Sequence, residues 1–308
     1  MECSSAWDAL SAFGTATQAS SWVALEQPGP WGREALTESH LDPALGARLG
    51  AAASEVGGRV LLIRAPGQHA DRAASGPRRV FVAGGLASTP WLLSGEVADP
   101  CELEQLPWAA LAASDPAPAL ESCGWLRRHD VPVLLVCANS RRDVCCALRG
   151  RPVALDVGAA RPGQVWECSH TGGHRFAPTG LVLPLGQMLA RLTPGLASEV
   201  LDAAAPGRLA PGALGERHDR GRSHLPPELA AAESWVRVRA GVCDPGALTA
   251  EARAEGVRVR HADGRTWDVR VTETTGPALP ESCGKSPKPS RTWVVRPAPA
   301  APGCADTP

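Results

Sequence analysis

The sequence predicts an α/β protein. Short apolar runs of strand length, of which Pro132–Cys137 is the clearest, alternate with segments whose alanines and leucines recur at helical spacing. The chain has 308 residues, of which 44% are hydrophobic and 20% charged. That composition is typical of a globular protein, and the length allows more than one domain.

The first region, residues 1–118, has the pattern of a smaller α/β unit with a β-α-β arrangement. The segment Asp115-Pro-Ala-Pro predicts a surface loop at its end. The predicted elements are strands at 21–25, 59–64 and 78–83 and helices at 41–54 and about 101–113.

The second region, residues 119–204, combines a strand, a helix, two or three further strands and a closing helix, which is the inventory of a thioredoxin-like layer. Its elements are a strand at 132–137, a short helix at 143–149 ended by Gly150, extended segments at 151–156 and 164–167, a strand at 181–184 and one or two helices within 186–204.

The remainder of the chain divides into three parts. Residues 205–225 are rich in Gly, Pro, Arg and His and predict a linker. Residues 226–293 predict a helix, beginning near Pro227, and a β-hairpin whose turn is His-Ala-Asp-Gly. The proline-rich segment 294–308 is expected to be a disordered tail.

Charge and hydropathy exclude several functions. The net charge of −1 provides no field that would attract nucleic acid or anionic lipid. No apolar run approaches the length of a membrane span, and the N-terminus lacks the pattern of a signal peptide. We therefore expect a cytoplasmic protein without a nucleic-acid or membrane partner; its oligomeric state is open.

The ten cysteines are unevenly distributed. Cys137, Cys145 and Cys146 lie within ten residues of one another, and Cys168 lies close to two histidines. In a reducing compartment such clustering indicates metal or redox chemistry rather than structural disulfides. The other cysteines are scattered, and we interpret them as buried or incidental thiols.

Two short segments carry the candidate ligands. Cys137 and Cys146 bracket a polar loop at the end of the clearest strand, and His170 and His174 are separated by three residues that include Gly172-Gly173. Consecutive glycines disfavour a helix, so a tight loop is expected to aim both imidazoles at one site. Thiolate and imidazole together suit zinc, copper or an iron–sulfur centre.

The spacing of the cysteines and histidines argues against two common types of metal site but does not identify the metal. A zinc finger needs cysteines two to four residues apart, which these are not, although a zinc site of another kind remains open. A Rieske centre uses two Cys-x-His boxes, and only Cys168-Ser-His170 has that form.

Three segments resemble the sucrase/ferredoxin-like family of thioredoxin-like ferredoxins: Glu26–Gly32, Arg141–Gly150 and Trp166–Pro178. The resemblance implies a thioredoxin-like ferredoxin domain that holds a 2Fe–2S cluster through Cys137, Cys146, His170 and His174. The family has a basic residue where this chain has Cys145, so Cys145, and also Cys168, are spare ligand candidates. The first region would then be a ligand-free companion of thioredoxin-like fold.

The expected function is one-electron transfer with an unidentified redox partner protein, rather than conversion of a substrate. Neutral imidazoles in place of two thiolates raise a cluster's reduction potential, and a histidine can exchange a proton as the charge changes, so proton-coupled transfer is expected. Sucrase activity is not expected, since no carboxylate pair indicates it. The residues expected around the ligands are Arg141, Arg142, Asp143, Trp166 and Phe176.

Two other functions remain open. A zinc-stabilised interaction module would use the same four ligands for one ion. A thiol–disulfide oxidoreductase would suit a thioredoxin-like fold, but it usually carries Cys-x-x-Cys at a helix start, and no two cysteines here are three apart.

Overall fold

A computed structural model describes residues 3–68 and 76–299. Within these ranges the chain forms a ten-stranded mixed sheet, a four-stranded antiparallel sheet and several helices, which confirms the α/β class. No helix in the described part of the chain is long and apolar enough to cross a membrane.

The helices are few and short. They are α1 (Cys3–Ala6), α2 (Pro43–Glu55), α3 (Ala117–Ser122), α4 (Arg151–Ala160), α5 (Pro194–Ala204) and α6 (Pro227–Ala240). A π-helical turn, Cys146–Gly150, leads directly into α4, and 3-10 turns lie at Pro100–Gln105, Trp108–Ala110, His174–Phe176, Pro211–Ala213 and Pro245–Ala247.

The strands of the large sheet are β1 (Trp22–Glu26), β2 (Arg59–Arg64), β3 (Arg78–Gly84), β4 (Trp91–Val97), β5 (Arg127–Arg128), β6 (Val133–Cys137), β7 (Val165–Cys168), β8 (Gly180–Leu183), β9 (Gln187–Leu189) and β10 (Asp219–Arg222). The small sheet contains β11 (Leu248–Arg253), β12 (Gly256–His261), β13 (Thr266–Leu279) and β14 (Lys288–Pro297).

The large sheet consists of two halves with the same strand topology. In the first half β1 is parallel to β2 and antiparallel to β3, which pairs with β4. In the second half β6 is parallel to β7 and antiparallel to β8, which pairs with β9. A helix follows the first strand of each half, α2 after β1 and α4 after β6. The repeat was not evident in the sequence.

The halves join through β2 and β7, which run antiparallel and overlap only where Ile63 pairs with Cys168 and Arg64 with Glu167. Both pairs lie at the carboxyl ends of their strands, so the carboxyl ends of both halves meet at the centre of the sheet. Arg64 and Glu167 form a buried ion pair there, 2.7 Å between guanidinium and carboxylate. A functional site at these strand ends can therefore be formed by loops from both halves.

Several predicted elements differ from those observed. Residues 151–156, expected to be extended, begin α4, since Pro152 is favourable in a helix's first turn. The helix expected at 101–113 is two 3-10 turns, and β4 was not predicted.

Segments assigned to linker and tail also take part in the sheets. The predicted linker 205–225 contains β10, whose four residues are all buried against β9 and α6. The beginning of the predicted tail, residues 294–297, lies in β14, whereas residues 300–308 lie outside the described part of the chain. The domain boundaries themselves stay a prediction.

The carboxyl-terminal elements lie against the second half. Helix α6 packs on β10 and on the small sheet, around Phe13, Trp235 and Val259. Strands β13 and β14 form a long hairpin whose turn, residues 280–287, returns to the amino-terminal segment, where the Trp7 indole donates a hydrogen bond to the Pro280 carbonyl at 3.0 Å.

Candidate metal and redox site

The thiols of Cys137 and Cys146 meet at the carboxyl end of β6. Alternation along the strand turns Leu134 and Val136 towards α4 and α5, and Leu135 and Cys137 towards the opposite, central core. Cys146 belongs to the same core and is hydrogen-bonded to Cys137 through the two side chains. Both side chains are fully buried.

Gly150 allows the helix to lie so close to the strand end. A Cβ at this position would collide with the carbonyl oxygen of Cys137. The π-helical turn that precedes Gly150 contains Cys146. π-helical turns are rare in proteins, and many of those that occur lie at functional sites.

The two histidines lie on a loop after β7, as the glycines predicted. Gly172 and Gly173 have φ of +77° and +69°, a conformation that disfavours side chains with a Cβ, and a single 3-10 turn begins at His174. The ring centroids of His170 and His174 are 5.6 Å apart.

His170 approaches the thiol pair directly, because its Nδ1 lies 4.0 Å from Sγ of Cys137. Nδ1 of His174 is buried without a hydrogen-bond partner among the described residues, while its Nε2 lies 3.8 Å from Oδ2 of Asp143. The two cysteines and two histidines therefore lie in one neighbourhood. Among the described residues, however, they do not form a group compact enough for a single ion.

Electrostatics favours one thiolate and a neutral imidazole. The hydrogen bond from Cys146 holds the pKa of the Cys137 thiol well below its ordinary value, with His170 acting in the same direction. The same hydrogen bond raises the pKa of Cys146. Burial lowers the pKa of His174, so its ring is neutral near pH 7 and can act as a ligand.

Arg220 is a residue near this site that the sequence analysis missed. It is fully buried in β10, a segment interpreted as a linker, and donates hydrogen bonds to the Gly172 carbonyl (3.0 Å) and to Thr15. Burial lowers the pKa of its guanidinium to about 9, and the Cys137 thiolate opposes this shift. No local pattern indicates this role, since β10 joins the loop only through tertiary packing.

The two spare cysteines have different surroundings. Cys168 is buried in the central core beside Cys137 and Cys146, and burial raises its pKa. Cys145 points away from that pair, although it is the neighbour of Cys146 in the sequence. It belongs to a group with Cys3, Asp143 and Cys283 whose ligand atoms lie within 4.8 Å of one another and could hold a metal ion. Cys3 and Cys283 were not singled out by the sequence.

The residues expected around the ligands are also divided. Trp166 packs in the core of the thiol pair, whereas Phe176 packs edge-on against Trp7. Asp143 is buried in the Cys3–Cys145–Cys283 group.

The two arginines of the loop lie further out. Arg141 is exposed, and Arg142 forms an ion pair with Glu34 of the first half at 2.5 Å. The next contact between the halves is made by Asn139, which donates to the Gly32 carbonyl at 2.9 Å. The segment Glu26–Gly32 thus adjoins the ligand loop.

Comparison with known proteins gives one match. A model of the sucrase/ferredoxin-like family matches residues 12–212, a range that contains strands β1 to β9 of the large sheet and the two cysteines and two histidines described above. No curated protein and no solved structure matches the chain. The thioredoxin-like assignment of each half therefore stays a prediction. Because the match covers more than half of the chain, this protein belongs to the sucrase/ferredoxin-like family.

Proposed function

We propose that this protein binds a 2Fe–2S cluster through Cys137, Cys146, His170 and His174 and transfers single electrons. The observation that carries the proposal is the meeting of two thiols and two imidazoles at one strand end in a member of this family. A cluster spreads its ligands over two irons, so four ligands that lie near one another without converging on one point suit it better than one zinc ion.

The residues present fit such a group. Cys137 supplies an anionic sulfur, and His174 supplies a neutral ring whose buried Nδ1 has no hydrogen-bond partner within the described part of the chain. When bound, the cluster would accept and release one electron. Trp166, Leu135 and Leu181 of the central core exclude water from the thiol side. With Nδ1 as the ligand atom, Nε2 of His174 is left to hold a proton facing Asp143, which is the basis for proton coupling.

The histidine side of the site opens to solvent. A pocket of about 470 Å³ is lined by His174, Glu281 and Ser282, and by Lys285, Ser286 and Lys288. It contains both lysines of the chain. We infer that a redox partner approaches here rather than on the thiol side, which is buried.

The thiol–disulfide alternative has one observation in its favour, the contact between Cys137 and Cys146 with a lowered pKa of Cys137. Exchange, however, requires an attacking thiolate that a substrate disulfide can reach. Both sulfur atoms belong to completely buried residues. We therefore do not propose this function.

The test is anaerobic purification of the full chain with a visible spectrum and iron, sulfide and zinc analysis. The wild type is expected to be coloured, with about two irons and two sulfides per chain. His170→Ala and His174→Ala should lose most of the iron and the colour. His40→Ala, at an exposed histidine of the first half, is the matched control and should keep both.

The opposite results are equally informative. A colourless wild type after cluster reconstitution would contradict the proposal. If wild type contained zinc and His170→Ala and His174→Ala lost it, the site would be the structural zinc module formed by the two cysteines and the two histidines.

A further inference from the structure

The second group of cysteines lies outside the site just described. Its sulfur atoms come from three distant parts of the chain: Cys3 in α1, Cys145 in the ligand loop and Cys283 in the turn of the β13–β14 hairpin. The Sγ atoms of Cys3 and Cys145 are 3.6 Å apart, those of Cys3 and Cys283 3.6 Å, and those of Cys145 and Cys283 3.0 Å.

The two distances from Cys3, both 3.6 Å, are close to those of a zinc site, and the Cys145–Cys283 distance is shorter. Tetrahedral zinc with sulfur at about 2.3 Å places its sulfur ligands about 3.8 Å from one another. Asp143 provides the fourth donor, since its Oδ1 lies 3.7 Å from Sγ of Cys3. Thiolate-rich tetrahedral sets select zinc or iron, whereas calcium and magnesium require oxygen ligands.

The fourth donor is held in position by hydrogen bonds. Oδ2 of Asp143 accepts from the Ser282 hydroxyl and the Cys283 backbone N–H, both at 2.8 Å, and Oδ1 accepts from the Cys145 N–H at 2.9 Å. The backbone N–H of Cys3 donates to Sγ of Cys283 at 3.5 Å. Hydrogen bonds that orient ligands in this way accompany most protein metal sites.

The four donors are largely shielded from solvent. Cys3, Asp143 and Cys145 are buried, and Cys283 is half-buried. A divalent metal ion bound among them would compensate the carboxylate and deprotonate the thiols.

We propose that Cys3, Asp143, Cys145 and Cys283 bind a structural zinc ion. Cys3 and Cys283 lie outside residues 12–212, so family membership does not imply this site. The ion would cross-link the amino-terminal helix, the ligand loop and the hairpin turn. It would also explain the Cys145-Cys146 pair, with one thiol for each site.

The test is metal analysis of the anaerobically purified full chain grown with zinc. Wild type should contain about one zinc per chain, and Cys3→Ser and Cys283→Ser should lower the zinc content about tenfold. Both variants should keep the iron, sulfide and colour of wild type. Cys137→Ser should lose the iron but keep the zinc, which separates failure of this proposal from failure of the cluster proposal. The control is Cys101→Ser, an exposed cysteine.

Three outcomes would overturn the zinc site. Wild type could contain no zinc, or Cys3→Ser and Cys283→Ser could retain it. Alternatively, the intact mass of unreduced wild type could show the loss of two hydrogens, and a Cys145–Cys283 peptide pair would then identify a disulfide. If Cys3→Ser fails to fold, cobalt titration of metal-depleted Cys137→Ser, in which the other thiol site is disrupted, replaces it. Absorption typical of tetrahedral cobalt thiolate supports the zinc site, and its absence refutes it.

Discussion

The two halves of the large sheet share a topology but differ in the chemistry of their strand ends. In the first half β1 ends at Glu26, and the following Gln27 is buried, with its carbonyl accepting from the Trp31 indole at 2.7 Å. In the second half β6 ends at Cys137 and contacts Cys146 and His170. The strand arrangement therefore does not itself require thiols and imidazoles at this point.

The ends of the second strands show the same contrast. β2 ends at Arg64, whose guanidinium lies over the Trp31 ring, and β7 ends at Cys168, followed closely by His170. The strand ends of the first half carry amide, indole and guanidinium groups, whereas those of the second half carry thiols and imidazoles. The first half contacts the ligand loop of the second through the Gly32 carbonyl and the Glu34 carboxylate.

The largest expected effect comes from the junction between the halves. Glu167→Gln leaves the buried Arg64 guanidinium without its charged partner, and breaking such a pair costs about 3–5 kcal/mol. Urea unfolding followed by tryptophan fluorescence should show a lower free energy of unfolding and a single transition, because the halves share one sheet. Two separate transitions in wild type would show that the halves unfold independently.

A smaller effect is expected at the outer part of the second half, near β10. Burial lowers the pKa of His224 to about 4, so its stabilising contribution is complete above the ordinary histidine pKa and is lost as the pH falls through about 4. Between the ordinary histidine pKa and about pH 4, His224 should make the free energy of unfolding of wild type fall by about 1.4 kcal/mol per pH unit of acidification. His224→Gln should remove this part of the fall. The measurement is unfolding free energy against pH.

The matched change in the first half is His129→Gln, beside β5. Burial lowers the pKa of His129 as well, but by a smaller shift than that of His224, so its contribution to the pH dependence should be smaller. Equal pH profiles for the two variants would contradict this difference between the outer edges.

The smallest effect is expected on the surface of the first half. Arg48 and Glu104 form an ion pair at 2.7 Å, with both side chains well exposed. Glu104→Gln should leave the free energy of unfolding and the iron content almost unchanged, because exposed ion pairs contribute little to stability. It is also the control for Glu167→Gln, because both substitutions remove one negative charge but Glu104 is exposed whereas Glu167 is buried. A large loss of stability here would mean that the surface of this half carries a function not recognised above.

Local sequence predicted many of the elements. Helices α2 and α6, strands β1, β2 and β6, and the glycine loop between His170 and His174 follow from periodicity, proline positions and consecutive glycines. The sequence predicted an extended segment at 151–156 because a short apolar run such as Val153-Ala154-Leu155 fits either a strand or a helix, and packing on β6 decides between them. β10 was missed because its residues, Asp219–Arg222, are polar, and their burial depends on partners such as Glu233 and Thr15.

The sequence by itself determined the α/β class, the family and the two segments that carry Cys137, Cys146, His170 and His174. Each of these depends on residues close to one another in the chain. Only the tertiary structure decided that Cys145 and Cys146 face different groups, that Cys3 and Cys283 approach Cys145, and that Arg220 supports the histidine loop. Those contacts join segments far apart in sequence, and they arise when the sheet and the hairpin bury their apolar faces, which no local pattern records.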